Sequence, residues 1–390
     1  MVRHASLFSQ LIAFFDRNKF KNLVMKHKTE RYSKGFKSWD QLVAMLFCQL
    51  AQAKSLREIS GGLACCIGKL RHLGISSAPS KSTLSYANKN RSWKMYRDLF
   101  YETFEFCRRA SPGKHKFRFN NKLLSLDSTT ISLCLNLFPW AEFRRTKGAV
   151  KLHLLLDHDG YLPSYAYISN GKDHDSTFAK KFPLAPGSII TMDRGYTDYK
   201  LFAFWTAQKI FFVTRLKENA NYEVLSKREL PLKRNILSDE IIKFKGYYAR
   251  KDCPFPLRRV VVWDADNQRE IILLTNHHDF GATTISSIYK DRWQIELFFK
   301  AIKQNLRIKT FVGTSENALY IQIWTALIAM LLIKFLQLKS KFKWSLSNLV
   351  AFLRWNLFTY KDLWEWINKP FDVIPEIPRP MQMQLPLKGI

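Results

Sequence analysis

Two aspartates stand where metal-dependent chemistry could be carried out. Asp127 follows the apolar run LLSL and Asp193 follows IITM, so each is expected at the end of a β-strand. If both strands belong to one sheet, the two carboxylates project from the same edge, as a metal site requires. An Asp at a strand end is more often a turn or cap residue, so neither position identifies a site by itself.

A third carboxylate, Glu296, lies in a segment whose periodicity predicts one long helix from about Thr283 to Leu306. Polar side chains recur on one face of this helix at spacings of three and four residues: Tyr289, Arg292, Glu296, Lys300 and Lys303. A ladder of exposed ion pairs would explain part of this stripe, but not the tyrosine or the second lysine. A carboxylate between cations suits an enzyme that acts on phosphodiesters.

These residues suggest a division of roles. Glu296 would complete a metal shell with Asp127 and Asp193, while Arg292 and Lys303 hold phosphates and Tyr289 donates a hydrogen bond to one of them. An oxygen-only shell of carboxylates favours Mg²⁺, with Mn²⁺ as a substitute, over zinc.

Other polar residues are weaker candidates. Lys151 and His153 share one face of a predicted strand and could approach DNA phosphate, although a solvated strand face is an equal alternative. Further aspartates lie in turns containing Gly or His and rank below the chosen three: Asp157, Asp159, Asp173 and Asp175.

Three blocks of the chain resemble those of a known family. Tyr289-x2-Arg292-x3-Glu296-x6-Lys303 is similar to the Y-R-E-K signature of DDE transposases from bacterial insertion sequences of the IS-four-like family. The blocks around Asp193 (Asp-Arg-Gly-Tyr) and Asp127 (Leu-Asp-Ser-Thr) resemble those around that family's two aspartates. The resemblance implies an RNase H-like catalytic domain with a β-rich insertion between the second Asp and the Glu. It also implies two divalent ions that serve both strand cleavage and joining.

The order of predicted elements agrees with an α/β chain of this kind. Segments LLSLDSTTISL, AVKLHLLLDHDG and LPSYAYIS predict an antiparallel meander. A helix predicted at 174–182 precedes the strand at IITMD, and a helix predicted at 197–210 separates that strand from the one at FFVTRLK. This order is typical of an RNase H-like core. The predicted boundaries are a basic helical DNA-binding domain at 1–120, the first part of the core at 121–217, a β-rich insertion at 218–282, the core helix with Glu296 at 283–310, and a helical C-terminal region with an extended tail at 311–390.

Charge points to nucleic acid as the partner. The chain has 62 Lys and Arg against 32 Asp and Glu, and residues 1–120 alone hold 23 against 7. A capping-box pattern at Ser55–Glu58 and a polar helix from Ser82 suggest a helix-turn-helix relative, and a basic helical bundle without groove insertion is the alternative. The six cysteines form no C-x-x-C pair, which favours reduced thiols in a cytosolic protein. The resemblance to bacterial transposases implies the cytoplasm of a bacterium, near the nucleoid.

No membrane role is expected. The N-terminal segment makes a poor signal peptide, and the apolar run from Ile323 to Ile333 is too short to span a bilayer. The helix near 321–337 is instead a core element or an interface of a homodimer that pairs two DNA ends.

The sequence therefore predicts a transposase that binds terminal inverted repeats, cuts them and joins them to target DNA. An RNase H-like nuclease and a catalytically silent DNA-binding descendant of a transposase are the alternatives. A hairpin intermediate would need an aromatic residue to stack on a flipped base. Trp263 or Trp293 could serve, although each is more simply explained as a core residue.

Overall fold

Residues 5–371 are described by the computed structural model, except 32, 111–115, 145–146, 172–177 and 233. The chain begins with a group of helices: α1 (Leu7–Ile12), α2 (Arg17–His27), α3 (Ser38–Leu50), α4 (Leu56–Ala64), α5 (Lys81–Asn90) and α6 (Lys94–Ala110). Ser55 caps α4 as the sequence predicts, because its hydroxyl accepts a hydrogen bond from the Glu58 amide at 3.1 Å. Helix α5 begins at Lys81, one residue before the predicted start, with Ser80 as its cap.

Polar residues at the end of α5 form hydrogen bonds within the protein. Asn88 is buried and its side-chain oxygen accepts a hydrogen bond from Gln41 on α3 at 2.8 Å. The Arg91 guanidinium after α5 donates to the Phe36 carbonyl and, at 3.2 Å, to the Ser33 hydroxyl. These contacts stabilise the helical group, and the helix-turn-helix interpretation stays a prediction.

The second half of the chain alternates strands and helices. The strands are β1 (Leu123–Leu133), β2 (Glu142–Arg144), β3 (Lys147–Asp157), β4 (Leu162–Asn170), β5 (Ile189–Met192), β6 (Phe211–Arg215), β7 (Tyr222–Lys227), β8 (Ile236–Phe244), β9 (Leu257–Asp264) and β10 (Arg269–Thr275). The remaining helices are α7 (Tyr199–Ala207), α8 (Tyr247–Asp252), α9 (Ala282–Asp291), α10 (Trp293–Asn305), α11 (Glu316–Lys339), α12 (Leu346–Asn356) and α13 (Leu363–Asn368). Part of the helix predicted at 174–182 lies outside the described residues.

One mixed sheet joins the strands of the described chain. Its order is β2-β3-β1-β5-β6-β10-β9-β8-β7, and β4 pairs with β3 as well. Strand β1 is antiparallel to β3 and parallel to β5, which is parallel to β6. The mixed α/β class is therefore confirmed.

The β-rich section after residue 217 extends this sheet. Strand β10 pairs antiparallel with β6 through residues 273–275, and β9, β8 and β7 follow in antiparallel order. The sequence RRVVVWDADNQREIILLTN predicts a hairpin turned at Asp264 to Asn267, and the antiparallel pairing of β9 with β10 confirms it. What reads as an insertion in the sequence is thus continuous with the sheet in space.

Helix α11 lies at the centre of the helical layer. It is long and apolar enough to meet a length-and-composition test for a membrane span, but 89% of that window is buried inside the protein. It packs against α3, α5, α6 and α12, and one buried apolar cluster runs through these helices to β3 and β4. Of the two interpretations of residues 321–337, burial within one subunit is the one observed.

The long helix predicted at 283–306 is two helices, so that prediction is wrong in its continuity. Helix α9 ends at Asp291 and α10 begins at Trp293. Between them the hydrogen bonds shorten to i, i+3: the Arg292 amide donates to the Tyr289 carbonyl at 3.2 Å, and the Ile295 amide donates to the Arg292 carbonyl at 3.1 Å. A tight segment of this kind inside a helix often marks strain or a functional hinge.

Candidate active site

The two aspartates meet through the register of parallel strands. The last pair between β1 and β5 is Leu126 with Met192, so Asp127 and Asp193 occupy the next position on each chain. Neighbouring residues in register point to the same face of a sheet. Asp127 does not end its strand, as the sequence suggested, because β1 continues to Leu133. It is β5 that ends, and its end leaves space beside Asp127.

Helices α9 and α10 cover this face of the sheet. Leu123 packs with Ile288 of α9 in one buried cluster, and Ile131 packs with Ile295 of α10 in another. Because side chains alternate along a strand, Asp127 points to the same side as Leu123 and Ile131. The strand face that carries the aspartates is therefore the one that the predicted third carboxylate approaches.

Asp127 is held in an electrostatically unfavourable environment. Burial raises the pKa of its carboxyl group to about 6, and the nearby charges of Glu296 and Asp193 act in the same direction. The Ser128 amide, which donates to Asp127 Oδ1 at 2.8 Å, and the Arg292 guanidinium only partly offset this rise. Glu296 and Asp193 thus lie close enough to Asp127 for their charges to affect its carboxyl group.

Arg292 lies between two of these carboxylates. Its Nη2 atom is 2.7 Å from Glu296 Oε1, and its Nη1 atom is 3.9 Å from Asp127 Oδ2. Its side chain is only 12% exposed. Burial lowers the pKa of Arg292, but Tyr289, Glu296 and Asp127 outweigh that effect and the net change is upward. The guanidinium is the positive charge that the carboxylates share in this structure.

The residues fit a divalent cation by chemistry and charge, although Asp127 and Glu296 contact Arg292 rather than each other. No group of three His, Cys, Asp or Glu side chains close enough to hold a metal occurs among the described residues. Burial and the neighbouring carboxylates raise the pKa of Asp127. A hard divalent cation prefers carboxylate oxygens as ligands, and its charge would offset this unfavourable environment.

Tyr289 and Lys303 of the polar stripe stay near the site despite the helix break. The Arg292 guanidinium lies 5.5 Å from the centre of the Tyr289 ring. Burial raises the pKa of the Tyr289 hydroxyl, with Asp193 in support and with Arg292 and Arg215 opposing. Lys303 Nζ donates to the Thr130 carbonyl of β1 at 3.2 Å, whereas Lys300 is exposed.

Lys151 and His153 do share a face of β3, but it is the opposite face of the sheet from Asp127. His153 is in register with Ser128, and Leu154 with Asp127. His153 is fully buried, with its ring 4.5 Å from that of Phe178 and Nε2 2.9 Å from the Ser169 hydroxyl. Its predicted role in binding DNA phosphate is therefore wrong. Lys151 lies on the same side, away from the carboxylates, and that position does not support its predicted role at this site.

The rival aspartates do not replace the chosen three. Lys122 forms ion pairs of 2.6 Å with both Asp157 and Asp159, so the described rivals have a structural partner. Asp173 and Asp175 lie outside the described residues.

Two features near the site were missed or misread from the sequence. Arg215 ends β6 close enough to lower the pKa of Tyr289, and a cation at the end of the strand next to β5 was the available signal. Trp263 and Trp293, interpreted as core residues, are 39% and 55% exposed. Both line a cavity of about 440 Å³ beside Tyr289 and Arg292.

Two family models match this chain. Residues 119–332 match the transposase DDE domain, and residues 3–76 match a domain of unknown function, DUF4372. The first match spans more than half of the chain and contains Asp127, Asp193 and Glu296. The class that this domain defines is the DDE transposases, and the chain belongs to that family.

Named relatives narrow the family to transposases of insertion sequences. A protein of Sinorhizobium fredii named as the transposase y4zB is 30% identical over 78% of this chain and 84% of its own length. A protein of Geobacillus stearothermophilus named as a probable transposase for the insertion sequence element IS5377 is 30% identical over 70% of this chain and 72% of its own. The cryo-EM structure of the piggyBac transposase synaptic complex with hairpin DNA aligns with a TM-score of 0.42 and 12% identity, over 96% of this chain and 82% of that one.

Proposed function

We propose that this transposase binds the terminal inverted repeats of its insertion sequence, cuts the DNA at these ends and joins them to target DNA. The observation that carries the proposal is that Glu296 and Asp193 both lie near Asp127, with Arg292 between Asp127 and Glu296. The strand order β4-β3-β1-β5-β6, with β1, β5 and β6 parallel, supports an RNase H-like core for this chemistry.

Asp127, Asp193 and Glu296 would hold two Mg²⁺ ions, or Mn²⁺ in their place. When bound, the ions supply Lewis-acid stabilisation of the charge that develops on the phosphate oxygens. With metal held by the carboxylates, Arg292 would be available to donate two parallel hydrogen bonds to a phosphate. Tyr289 would donate a hydrogen bond to the same group.

The lysines of α10 extend this surface along the DNA. Lys300 is exposed, and Lys303 reaches only a backbone carbonyl of β1, so both ammonium groups can turn toward a phosphate at small energetic cost. The basic helical group at residues 1–120 is proposed to bind the inverted repeats. Two copies would pair the two ends, and the protein would act on nucleoid DNA in the bacterial cytoplasm.

A direct test is to incubate the purified chain with end-labelled DNA that carries the inverted repeats flanking its own coding sequence. With Mg²⁺ or Mn²⁺, we expect a strand break at the element's end and, with added plasmid, products in which that end is joined. Excess EDTA should remove both products but leave binding to the repeats.

The same assay separates the alternatives. Breaks without joined products under any of these conditions would favour the RNase H-like nuclease. Binding without breaks would favour the catalytically silent DNA-binding protein. Breaks that persist in EDTA would contradict the metal site itself.

The cavity beside the site gives a further prediction for the DNA complex. Trp263 and Trp293 present exposed indole surface to a space of about 440 Å³ that Tyr289 also lines. Stacking of an unpaired base on an aromatic ring contributes about 1–3 kcal/mol. We expect Trp263→Ala to weaken binding of ends that carry an unpaired base at the cleavage site by about tenfold.

The control for this prediction is Trp355→Ala, because Trp355 is 71% exposed on α12 and does not line the cavity. The measurement is fluorescence anisotropy with labelled duplexes that differ only in one mismatch. Equal affinity of Trp263→Ala and wild type for the mismatched duplex would contradict base stacking in this cavity.

A further inference from the structure

A buried chain of hydrogen bonds links the strand that carries Asp127 to the break before the helix that carries Glu296. The Ser125 hydroxyl is 2.7 Å from His158 Nε2, and His158 Nδ1 is 2.6 Å from Asp291 Oδ2. Lys116 Nζ donates to Asp291 Oδ1 at 2.5 Å, and the Tyr161 hydroxyl donates to Oδ2 at 3.0 Å. Asp291 interrupts an otherwise apolar helix face, and these partners explain how it is accommodated there.

The order of the atoms is that of a nucleophile, a base and an acid, but burial excludes a hydrolytic triad. Ser125 is fully buried, and His158 and Asp291 are 5% and 3% exposed, so no substrate reaches the hydroxyl. Burial alone would raise the pKa of Asp291, yet the hydrogen bonds from His158 and Lys116 lower it. The network is therefore a fully paired ionic contact inside the fold.

Its two ends lie next to the catalytic groups. Ser125 precedes Asp127 by two residues on the same face of β1, a distance of about 7 Å along a strand. Asp291 is the last residue of α9, directly before Arg292, where the helix tightens to i, i+3 hydrogen bonds. One hydrogen-bonded chain thus spans from the strand to the break.

The break sets the direction in which Glu296 points. A residue in a 3₁₀ segment advances by about 120° around the axis, compared with about 100° in an α-helix. Each tightened residue therefore rotates the following helix by about 20°, which moves a side-chain atom some 5–6 Å from the axis by about 2 Å. Errors of this size matter, since a misplacement of about 1 Å can reduce a rate by about 10²-fold.

We propose that the Ser125–His158–Asp291 chain is the positioning element that sets the rotation of α10, and with it the approach of Glu296 to Asp127 and Asp193. This inference rests on the proposed metal-dependent function. The three residues touch neither metal nor DNA and act through the carboxylates. Without the link, α9 and α10 are free to straighten toward one continuous helix.

The test measures Mn²⁺ binding directly, from the electron paramagnetic resonance signal of free Mn²⁺ in titrations of the metal-free protein. Asp291→Asn keeps the shape of the side chain and removes its charge, and Ser125→Ala removes the strand end of the link. We expect Asp291→Asn to weaken Mn²⁺ binding by about tenfold or more, as loss of a supporting contact around a metal site typically does. Ser125→Ala should also weaken Mn²⁺ binding. Because both residues belong to one chain, the loss of Mn²⁺ affinity in the double variant should not exceed the sum of the losses in the two single variants.

The matched control is Asp239→Asn on β8. Asp239 is equally buried and forms a 2.7 Å ion pair with the buried Arg258, so its loss costs stability without reaching the site. The proposal requires that Asp239→Asn retain wild-type Mn²⁺ affinity at a temperature where all variants are folded. The Mn²⁺ titration does not depend on cleavage activity.

Two results would overturn the inference alone: wild-type Mn²⁺ affinity in both Asp291→Asn and Ser125→Ala, or an equal loss in Asp239→Asn. If Asp291→Asn does not fold, the smaller Ser125→Ala change decides. A wild-type chain that binds no Mn²⁺, with or without DNA, would overturn the proposed function and the inference together.

Discussion

Asp127→Asn and Glu296→Gln are each expected to reduce strand cleavage by about 10³-fold or more while leaving binding to the DNA ends intact. Each substitution would remove a charged ligand of the proposed metal site but keep the size of the side chain. Loss of several kcal/mol of transition-state stabilisation corresponds to about this factor. The measurement is single-turnover cleavage with Mg²⁺, alongside a binding titration in EDTA. Cleavage near the wild-type rate in either variant would exclude that residue from the metal shell.

The same two variants should differ in stability. Burial raises the pKa of Asp127 from 3.8 to about 6, so between these values the folded protein binds more protons than the unfolded chain. Above pH 6 the ionised carboxylate therefore costs stability, on the order of 3 kcal/mol for a shift of this size. Asp127→Asn removes that cost. We expect its free energy of unfolding at pH 8, without metal, to exceed that of wild type by about 1–3 kcal/mol.

The pH dependence distinguishes this origin from better packing. As the pH falls through 6, Asp127 takes up a proton in the folded wild type. The difference in free energy of unfolding between Asp127→Asn and wild type should therefore shrink, and it should vanish near pH 4. Glu296→Gln instead gives up a 2.7 Å ion pair with Arg292 and should be no more stable than wild type at pH 8. Urea denaturation at pH 8, 6 and 4.5 checks both expectations. A stability gain for Asp127→Asn that is the same at all three values would contradict the assignment.

The sequence located the carboxylates because their signals are local. Apolar runs before Asp127 and Asp193 predict strands, and the helical spacing of Tyr289, Arg292 and Glu296 places them on one face. The structure brings these residues together as expected. What local spacing could not show is that Arg292 bridges Asp127 and Glu296, since such a bridge depends on the distance between a strand and a helix.

Errors arose where a side chain's environment depends on distant contacts. Alternation along β3 correctly placed Lys151 and His153 on one face, but alternation alone does not say which face meets the helix. Register with β1 decides that point, and it turns His153 toward Phe178. The break between α9 and α10 could not be predicted for the same reason. The sequence around Asp291 is compatible with a continuous helix, and the partners of Asp291, Lys116 and His158, are distant in the chain.

The β-rich section shows the same limit at the level of topology. Residue types and the turn between Asp264 and Arg269 predict the hairpin of β9 and β10, but they do not predict which strand of the core this hairpin pairs with. Strand β10 joins β6 across more than fifty residues of chain, and this contact makes the section an extension of the core sheet. The consequence for function is spatial: the extension brings Trp263 to the same cavity as Tyr289.

Arg292→Ala is expected to make folding strongly dependent on a divalent metal. The guanidinium, with a side chain 12% exposed, is the cation that Asp127 and Glu296 contact in this structure, and its loss leaves their charges uncompensated. Removing one partner of a buried ion pair costs about 3–5 kcal/mol, and partial exposure of Glu296 reduces this to about 2–4 kcal/mol. We expect a corresponding fall in Tm in EDTA, and recovery of much of it in Mn²⁺, because metal restores positive charge and binds only the folded site.

Arg259→Ala is the matched control for that prediction. Arg259 forms a 2.9 Å pair with Glu240 between β9 and β8, and both side chains are 14% exposed. Its loss should lower Tm by a similar amount, but Mn²⁺ should not reverse the loss, since a single carboxylate remains there. If Mn²⁺ raises the Tm of both variants equally, the carboxylates around Arg292 do not form a metal site. If it rescues only Arg292→Ala while cleavage stays impaired, the guanidinium has a second role once metal replaces it, which is the phosphate contact proposed for it.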